Sequence, residues 1–148
     1  MVLKSSRIFV AWAACGVAAG AWDAMMRYLR GRTAMGKPVI KHQLVQEKIT
    51  RALGNVQAAI LMAKRGAEMF AQGKMTIGHA AMCKAWCSLV GRETVRLARE
   101  VMGGNGIILD NEVIKHLNDM EAIYTYEGTY DINILVAGRE VTGQAAFK

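Results

Sequence analysis

Apolar residues recur every three or four positions over long stretches of the chain, which is the spacing of one face of an α-helix. The clearest stripe begins after Pro38 and ends at Gln72-Gly73-Lys74. Its members are Val45, Ile49, Ala52, Leu53, Val56, Ile60, Ala63, Ala67 and Phe70. A second stripe follows Thr76, a suitable N-cap, and ends at Gly103-Gly104-Asn105-Gly106. Its inward members are Cys83, Trp86, Cys87, Val90, Leu97 and Val101. The pattern therefore predicts two long helices.

An apolar run near the N-terminus has two interpretations. The 15 residues from Ile8 to Trp22 follow basic residues and contain several small ones, as a secretory signal peptide does. The run is shorter than the roughly 20 residues that span a bilayer. The alternative is a buried helix, from Ser5 or Ser6 to about Arg30, whose small residues allow close packing. The amphipathic pattern continues beyond the run, which favours one uninterrupted helix.

The last third of the chain predicts shorter elements. A short helix near residues 111–118 leads into an irregular segment over residues 123–129. A final helix from about Tyr130 to Val141 places its apolar side chains on one face: Ile132, Leu135 and Val136. With no internal repeat or linker, residues 1–148 form one domain, which we predict to be an all-α, antiparallel four-helix bundle.

Composition and charge narrow the class of protein. The chain has 148 residues, of which 53% are hydrophobic, and this excludes intrinsic disorder. The 19 basic and 12 acidic residues give a formal charge of +7, which favours a polyanionic partner. The three cysteines are an odd number and too few for a disulfide framework, so a reducing compartment is expected.

The histidines and cysteines do not form a recognisable reactive site. His42, His79 and His116 are too far apart in sequence to indicate a metal site, so none is predicted. Cys83 and Cys87 lie one helical turn apart on an apolar stripe. Without a charged neighbour to lower their pKa, they are expected to be small core residues.

The glycine cluster Gly103-Gly104-Asn105-Gly106 has a structural and a functional interpretation. Glycines after a helix commonly form a C-cap. Alternatively, backbone N–H groups without side chains approach a phosphate closely. The cluster differs from the dinucleotide-binding fingerprint, because no strand precedes it and no helix begins at the required spacing.

Glu127 is the candidate catalytic carboxylate. It lies in an aromatic segment between Tyr126 and Tyr130, immediately before the last helix. A carboxylate that is partly dehydrated among apolar rings has a raised pKa, which suits a general base. The alternative is a residue that caps the last helix through its free N–H groups.

Four segments, in order, carry a resemblance to a known family. Arg32–Gly36 and His42-Gln43 resemble the Arg-x-x-Phe-Gly motif and following Gln of the acyl-CoA dehydrogenases. Glu100–Ile107, with acidic and basic residues at the expected intervals, resembles their second signature. Tyr126–Thr129 resembles the loop of their catalytic base. The resemblance covers essentially the whole chain, and it identifies the predicted bundle as the C-terminal helical domain of this family.

The sequence around the base resembles one branch of the family. Thr125–Asn133 and Gly138-Arg139-Glu140 are similar to the glutaryl-CoA dehydrogenases and to the related short-chain acyl-CoA oxidases. The resemblance also implies that residues 7–22 belong to the first bundle helix and not to a signal peptide.

The resemblance implies roles for residues near the base. Glu127 would abstract the α-proton of an acyl-CoA thioester while a β-hydride leaves for FAD. The backbone N–H of Glu127 would polarise the thioester carbonyl. Gly128 would keep the loop slim beside the substrate, Thr129 would touch FAD, and Arg7 would contact the acyl-CoA.

Further residues match family positions that bind FAD. Arg32 would reach the pyrophosphate across a subunit interface, and Gln43 would bind the same cofactor. Phe147 matches a flavin-contacting aromatic. The loop that holds the adenosine end corresponds to Glu100, Val101, Met102, Gly103 and Gly104.

The chain also departs from the family pattern. Met35 replaces the usual Phe, and Glu100 stands where Gln is common, which places an acidic side chain near a diphosphate. The family's N-terminal helical domain and middle β-domain are absent from this sequence. We therefore predict that the chain alone is catalytically inactive.

The resemblance also implies partners. These are an acyl-CoA substrate, further copies of the chain (a tetramer in the family) and, for a dehydrogenase, an electron-transfer flavoprotein. No nucleic-acid or membrane partner is expected. The expected location is the mitochondrial matrix of a eukaryote, with a peroxisome or the bacterial cytoplasm as alternatives. A short-chain acyl-CoA oxidase domain and a non-catalytic helical oligomerisation module remain alternative functions.

Overall fold

A computed structural model describes residues 2–147 of the chain. The helices are α1 (Val2–Gly31), α2 (Gln43–Ala71), α3 (Ile77–Val101), α4 (Val113–Thr125) and α5 (Tyr130–Thr142). Two short antiparallel strands, β1 (Thr33–Ala34) and β2 (Lys37–Pro38), form a hairpin between α1 and α2. Short 3₁₀ turns occupy Val39–Lys41, Gly103–Ile107 and Leu109–Asn111. The predicted all-α fold class is confirmed.

The three long helices pack side by side in alternating directions. Trp22 of α1 donates a hydrogen bond to the carbonyl of Ile49 in α2. Near the other end of the same pair, Gly66 packs against Ile8, so α1 and α2 are antiparallel. Cys83 and Cys87 of α3 donate to the carbonyls of Met62 and Ala59 in α2, so α3 is antiparallel to α2 and therefore parallel to α1.

The fourth helix of the bundle is broken into α4 and α5. Gly91 of α3 packs against Met120 of α4, and Lys84, two turns earlier in α3, contacts the carbonyl of Tyr124. The N–H of Gly78, at the start of α3, donates to Glu140 of α5. Both segments therefore run antiparallel to α3, one after the other. The break over residues 126–129 lies opposite Lys84 and contains the candidate base.

Small residues allow α1 to pack closely against its neighbours, as its composition predicts. Its buried face is largely alanine: Ala11, Ala14, Ala18, Ala21 and Ala24. Where α3 approaches this face, Gly91 lies against the carbonyl of Ala14, and a β-carbon at Gly91 would be 3.6 Å from that oxygen. By length and composition alone α1 could cross a bilayer, but half of its most apolar window is buried inside the bundle.

The structure corrects two predicted helix faces. Trp86, predicted to point inward, is 45% exposed, because Ala85 and Cys87 occupy the buried positions beside it. In α5, Ile132 and Leu135 are largely exposed, whereas Asn133 and Ala137 are buried. The polar Asn133 faces inward because it binds backbone carbonyls of the preceding loop.

The structure confirms the predicted start of α3 and moves the start of α1 and the end of α4. Thr76 is the N-cap of α3, and His79 completes a capping box with it. Ser5 and Ser6 lie inside α1, which begins earlier than predicted. The helix α4 extends to Thr125, seven residues beyond its predicted end.

Candidate active site at the break in the fourth helix

The loop between α4 and α5 has an unusual backbone. Glu127 has φ +57° and Gly128 has φ +89°, so two consecutive residues adopt left-handed conformations. This region is disfavoured for a residue with a β-carbon. The surrounding contacts must therefore stabilise Glu127 in this conformation.

The carboxylate of Glu127 lies between the loop and the start of α1. The hydroxyl of Ser6 donates a hydrogen bond to Oε2 of Glu127 at 2.8 Å. The guanidinium of Arg7 donates to the Glu127 carbonyl at 3.4 Å. Arg7 is buried, which lowers its pKa, and the charge of Glu127 opposes that effect. The Glu127 side chain is thus half-buried and held beside a guanidinium.

Lys84 binds the loop from α3. Its ammonium donates to the carbonyl of Tyr124 at 3.0 Å and to that of Gly128 at 2.7 Å. Burial and the nearby charge of Arg7 lower the pKa of Lys84 to about 8, although the charge of Glu127 opposes the shift. The lysine ties the end of α4 to the middle of the loop.

Asn133 holds the other side of the loop. Its amide nitrogen lies 3.3, 2.7 and 3.0 Å from the carbonyls of Glu127, Gly128 and Thr129. A β-carbon at Gly128 would be 2.9 Å from this nitrogen, so glycine is required there for space as well as for its φ. The loop therefore packs directly on the first turn of α5.

Aromatic side chains close the outer side of the loop. The rings of Tyr124 and Tyr130 stack with centroids 5.9 Å apart, and the guanidinium of Arg92 lies 4.6 Å from the centre of the Tyr124 ring. The N-cap of α5 is Thr129, whose hydroxyl accepts from the N–H of Ile132. Since Thr129 caps the helix, the Glu127 carboxylate is not needed for that purpose.

A cleft of about 490 Å³ lies between the start of α1, the α5 helix and the C-terminal segment. Its walls include Arg7, Leu135, Arg139 and Phe147, and they are mainly apolar. Arg7 both lines this cleft and binds the loop of Glu127. Arg7 therefore links the cleft to the backbone of the loop that carries the candidate base.

The remaining predicted cofactor residues lie at the opposite end of the bundle. Arg32 and Gln43 are exposed on the hairpin and at the start of α2. The ion pair between Lys48 and Glu100 brings the start of α2 next to the end of α3, where residues 100–104 lie. The predicted site residues thus form two groups, one at each end of α3.

The three glycines at this second end differ in what their positions require. Gly106 is buried, and a β-carbon there would lie 2.3 Å from the Arg99 carbonyl, so the chain itself requires glycine. Gly104 is exposed, with no atom within 4 Å of the position of a β-carbon. Gly103 has φ +57° and follows the helix as a C-cap glycine does. Gly103 thus fits the helix-end interpretation, and Gly104 has the open space that the ligand-approach interpretation requires.

The negative charge of Glu100 is balanced by two cations of the same chain. It forms ion pairs with Lys48 at 2.7 Å and with Arg96 at 2.9 Å. The hydrogen bond from Lys48 is the main cause of its lowered pKa. The departure from Gln at this position is thus accompanied by two compensating cations.

Sequence reasoning missed three residues that bind the Glu127 loop: Ser6, Lys84 and Asn133. Lys84 gave a signal, because a lysine stands in the middle of the buried stripe between Cys83 and Cys87. These two cysteines are buried, as expected for core residues. Burial raises the pKa of Cys83, and an interaction with Cys15, together with burial, raises that of Cys87. Among residues 2–147, no cluster of His, Cys, Asp and Glu could hold a metal ion.

Comparisons with known proteins agree with this fold. The family model "Acyl-CoA dehydrogenase, C-terminal domain" matches residues 1–142. Cyclohexane-1-carbonyl-CoA dehydrogenase from Geobacter metallireducens is 32% identical over 141 residues, which are 95% of this chain and 37% of that protein. The glutaryl-CoA dehydrogenase of Mycobacterium smegmatis superposes with a TM-score of 0.94 at 27% identity, covering 99% of this chain and 38% of that one.

A second structure of a glutaryl-CoA dehydrogenase from Mycobacterium smegmatis, in complex with FADH2, matches with a TM-score of 0.90 at 28% identity over 99% of this chain and 38% of that one. The chain therefore spans somewhat more than a third of the length of these relatives. With a family model that covers nearly all of its residues, this chain belongs to the acyl-CoA dehydrogenase family and matches its C-terminal domain.

Proposed function

We propose that this chain is the helical domain of an FAD-dependent acyl-CoA dehydrogenase and that Glu127 is the base that removes the α-proton of an acyl-CoA thioester. The observation that carries the proposal is the arrangement around Glu127. Its carboxylate is half-buried beside Ser6, its loop is fixed by buried donors, and Thr129 performs the capping of α5.

The backbone of Glu127 supports a second role at the same site. The α-carbon of a thioester is a very weak acid, so its carbonyl must be polarised while the proton leaves. In the part of the chain that the structure describes, the N–H of Glu127 donates no hydrogen bond. It is therefore available to a substrate carbonyl, while the carboxylate of the same residue accepts the proton.

The end of the bundle that carries the β1–β2 hairpin and residues 100–104 is called the hairpin end. Two observations support a phosphate-bearing cofactor there. Gly104 leaves open space where a side chain would stand. Arg30, Arg32 and Lys37 form no ion pair within residues 2–147, and no acidic residue occurs between Asp23 and Glu47. Arg32, Gln43 and residues 100–104 would hold the pyrophosphate and adenosine end of FAD.

When bound, FAD supplies the acceptor for the hydride that leaves the β-carbon of the substrate. At the base end, Thr129 and Phe147 would lie against the flavin. Arg7 and Gly128 would contact the acyl-CoA, the first through its charge and the second by leaving room for the thioester. The chain itself thus provides the base and part of the binding surface.

The motif around Glu127 favours a glutaryl-CoA dehydrogenase-like substrate class. The electron acceptor of such an enzyme would be an electron-transfer flavoprotein, whereas a short-chain acyl-CoA oxidase would pass electrons to oxygen. The chain matches somewhat more than a third of the length of these relatives. We therefore propose that it does not turn over substrate without the remaining domains of the family.

The role of Glu127 can be tested in a chimaera. In this protein, residues 1–148 replace the matching 38% of the Mycobacterium smegmatis glutaryl-CoA dehydrogenase. We expect Glu127→Gln to reduce kcat for glutaryl-CoA or butyryl-CoA by at least about 1,000-fold, since the amide cannot accept the proton. Flavin content, measured by absorbance, should be unchanged.

Asp131→Asn is the matched control, because it makes the same change on an exposed acidic residue in the first turn of α5. It should retain full activity. Activity of the Glu127→Gln chimaera within tenfold of the parent would refute the role of Glu127. Turnover by the isolated chain with stoichiometric bound flavin would refute its predicted inactivity.

A second candidate function rests on exposed apolar side chains. Phe9, Leu44 and Leu61 are between 65% and 76% exposed on α1 and α2, and Trp86 is 45% exposed on α3. Such surfaces commonly mediate association. A non-catalytic oligomerisation module would self-associate in sedimentation experiments. Its chimaera would be inactive with either residue at position 127.

A further inference from the structure

Lys84 is a charged residue in an apolar position. It is fully buried in α3, surrounded by core residues such as Ala81, Cys83 and Cys87. Within residues 2–147 it forms no ion pair with a carboxylate. Burying an ammonium without a counter-ion is costly, whereas a methionine would fill the same space without that cost. The buried ammonium is compensated instead by the two backbone carbonyls to which it donates.

Both acceptors of Lys84 belong to the loop that carries Glu127. The Tyr124 carbonyl lies in the last turn of α4, where backbone carbonyls lack helical partners and the helix dipole favours a cation. The Gly128 carbonyl follows Glu127 directly. The two acceptors thus stand on either side of Glu127, three residues before it and one after it.

Among residues 2–147, the other side-chain donors to the loop do not duplicate this connection. Asn133 binds carbonyls of residues 127–129 and belongs to α5, so it fixes only the second half of the loop. Arg7 reaches the Glu127 carbonyl from α1. Of the side-chain donors to this loop, Lys84 is the one that joins the end of α4 to the residues beyond Glu127.

We infer that Lys84 is a positioning residue for Glu127: by bridging the carbonyls of Tyr124 and Gly128, it holds Glu127 in its left-handed conformation and its carboxylate beside Ser6. The inference rests on the proposed function of Glu127. Lys84 does not touch the substrate in this mechanism. It acts through the loop backbone, so its loss should slow proton abstraction without weakening substrate binding.

The test compares Lys84→Met and Lys84→Gln in the flavin-loaded chimaera. Lys84→Met keeps the length of the side chain and removes its donors, and we expect a fall in kcat of about 10- to 100-fold from misplacement of the base. KM and flavin content should stay within about twofold. Lys84→Gln keeps a neutral donor and should recover part of kcat.

A second readout separates positioning from general damage. If proton abstraction is slowed, the primary isotope effect on kcat with α-deuterated butyryl-CoA should be at least as large in Lys84→Met as in the parent. Ser88→Ala is the control, because it removes a buried hydroxyl one turn along α3 that bonds only within its own helix. This control should leave kcat unchanged.

The outcomes distinguish the two proposals. If Glu127→Gln is inactive but Lys84→Met keeps kcat within twofold, the inference about Lys84 fails and the role of Glu127 stands. If Glu127→Gln remains active, the proposed function itself fails. Equal losses in kcat, flavin content and affinity for substrate in Lys84→Met would also overturn the positioning role.

A measurement on the unaltered chain covers the case in which Lys84→Met does not fold. In ¹⁵N NMR spectra, the ammonium of Lys84 should exchange its protons with water much more slowly than those of exposed lysines. Couplings or contacts to residues 124 and 128 should identify its acceptors. An ammonium that exchanges as fast as that of an exposed lysine, such as Lys64, would overturn the inference.

Discussion

Around Glu127, four side chains from three helices bind one loop, whereas the hairpin and Gly104 at the other end of the bundle face solvent. At the first end the chain supplies its own donors for the loop carbonyls. At the second end, Arg30, Arg32 and Lys37 form no ion pair within the described residues, and the space beside Gly104 is open. The Glu127 loop is thus held by side chains of this chain, whereas the hairpin end has open donors for the cofactor that we propose for it.

The largest effect on stability is expected from Gly106→Ala. The added β-carbon would overlap the Arg99 carbonyl, and backbone cannot move aside cheaply, so we expect a loss of about 3 kcal/mol or more. Gly104→Ala at the same end should change stability by less than about 0.5 kcal/mol. Urea unfolding of both variants measures the difference.

The flavin content of the chimaera then sharpens the comparison. Gly104→Ala should reduce it although the bundle is intact, because the open space would be needed by the ligand. Unchanged flavin affinity in Gly104→Ala would contradict the assignment of a ligand to this end.

A change of pH should alter the free energy of unfolding through Lys84 by nearly as much as Gly106→Ala does. The pKa of this lysine is about 8 in the folded chain, against 10.5 for an ordinary lysine. Between these values the unfolded chain binds more protons, so the free energy of unfolding rises with pH in that window. Relative to Lys84→Met, the folded protein should gain about 3 kcal/mol between pH 7 and pH 11. If the free energies of unfolding of the parent and of Lys84→Met change with pH in parallel, the ammonium is not destabilised by burial.

A smaller effect is expected from Asn133→Ala. The change removes a buried amide that donates to three loop carbonyls and leaves a small cavity, which should cost about 2 kcal/mol. Hydrogen exchange should accelerate at residues 126–130 more than at α2. Uniform acceleration over the chain would indicate that the loop has no independent stability.

The smallest effect is expected from Glu100→Gln. Its two ion pairs are partly exposed, so their loss should change stability by less than about 1 kcal/mol. Removing the acidic group next to a diphosphate should strengthen flavin binding by the chimaera. A weaker affinity would show that Glu100 itself contributes to binding.

The sequence predicted the long helices well because their apolar residues have a strong period of three to four. The cap at Thr76 and the break after Thr125 also had local signals, a hydroxyl before a helix and a run of Tyr-Glu-Gly-Thr. These features depend on neighbours within a few positions. Local chemistry therefore accounts for most of the fold.

The orientation of α5 and the contacts of Glu127 could not be predicted in the same way. The polar Asn133 occupies a position on the inner face of α5 because it binds a carbonyl of the preceding loop. Ser6 lies 121 positions from Glu127, to which it donates. Hydrophobic periodicity assigns such positions to solvent or to the wrong face. The family motifs identified Glu127, but the residues that hold it depend on tertiary contacts.

Because both groups of site residues adjoin α3, this helix acts as a rigid spacer between them. Lys84 and Glu100 are 16 positions apart, which corresponds to about 24 Å along a helix. If the hairpin end binds the pyrophosphate of a neighbouring subunit's cofactor, that length sets the distance between this pyrophosphate and the Glu127 loop. Inserting one helical turn near Val90 would lengthen this separation and would also shift the contacts of α3 with its neighbours on one side of the insertion.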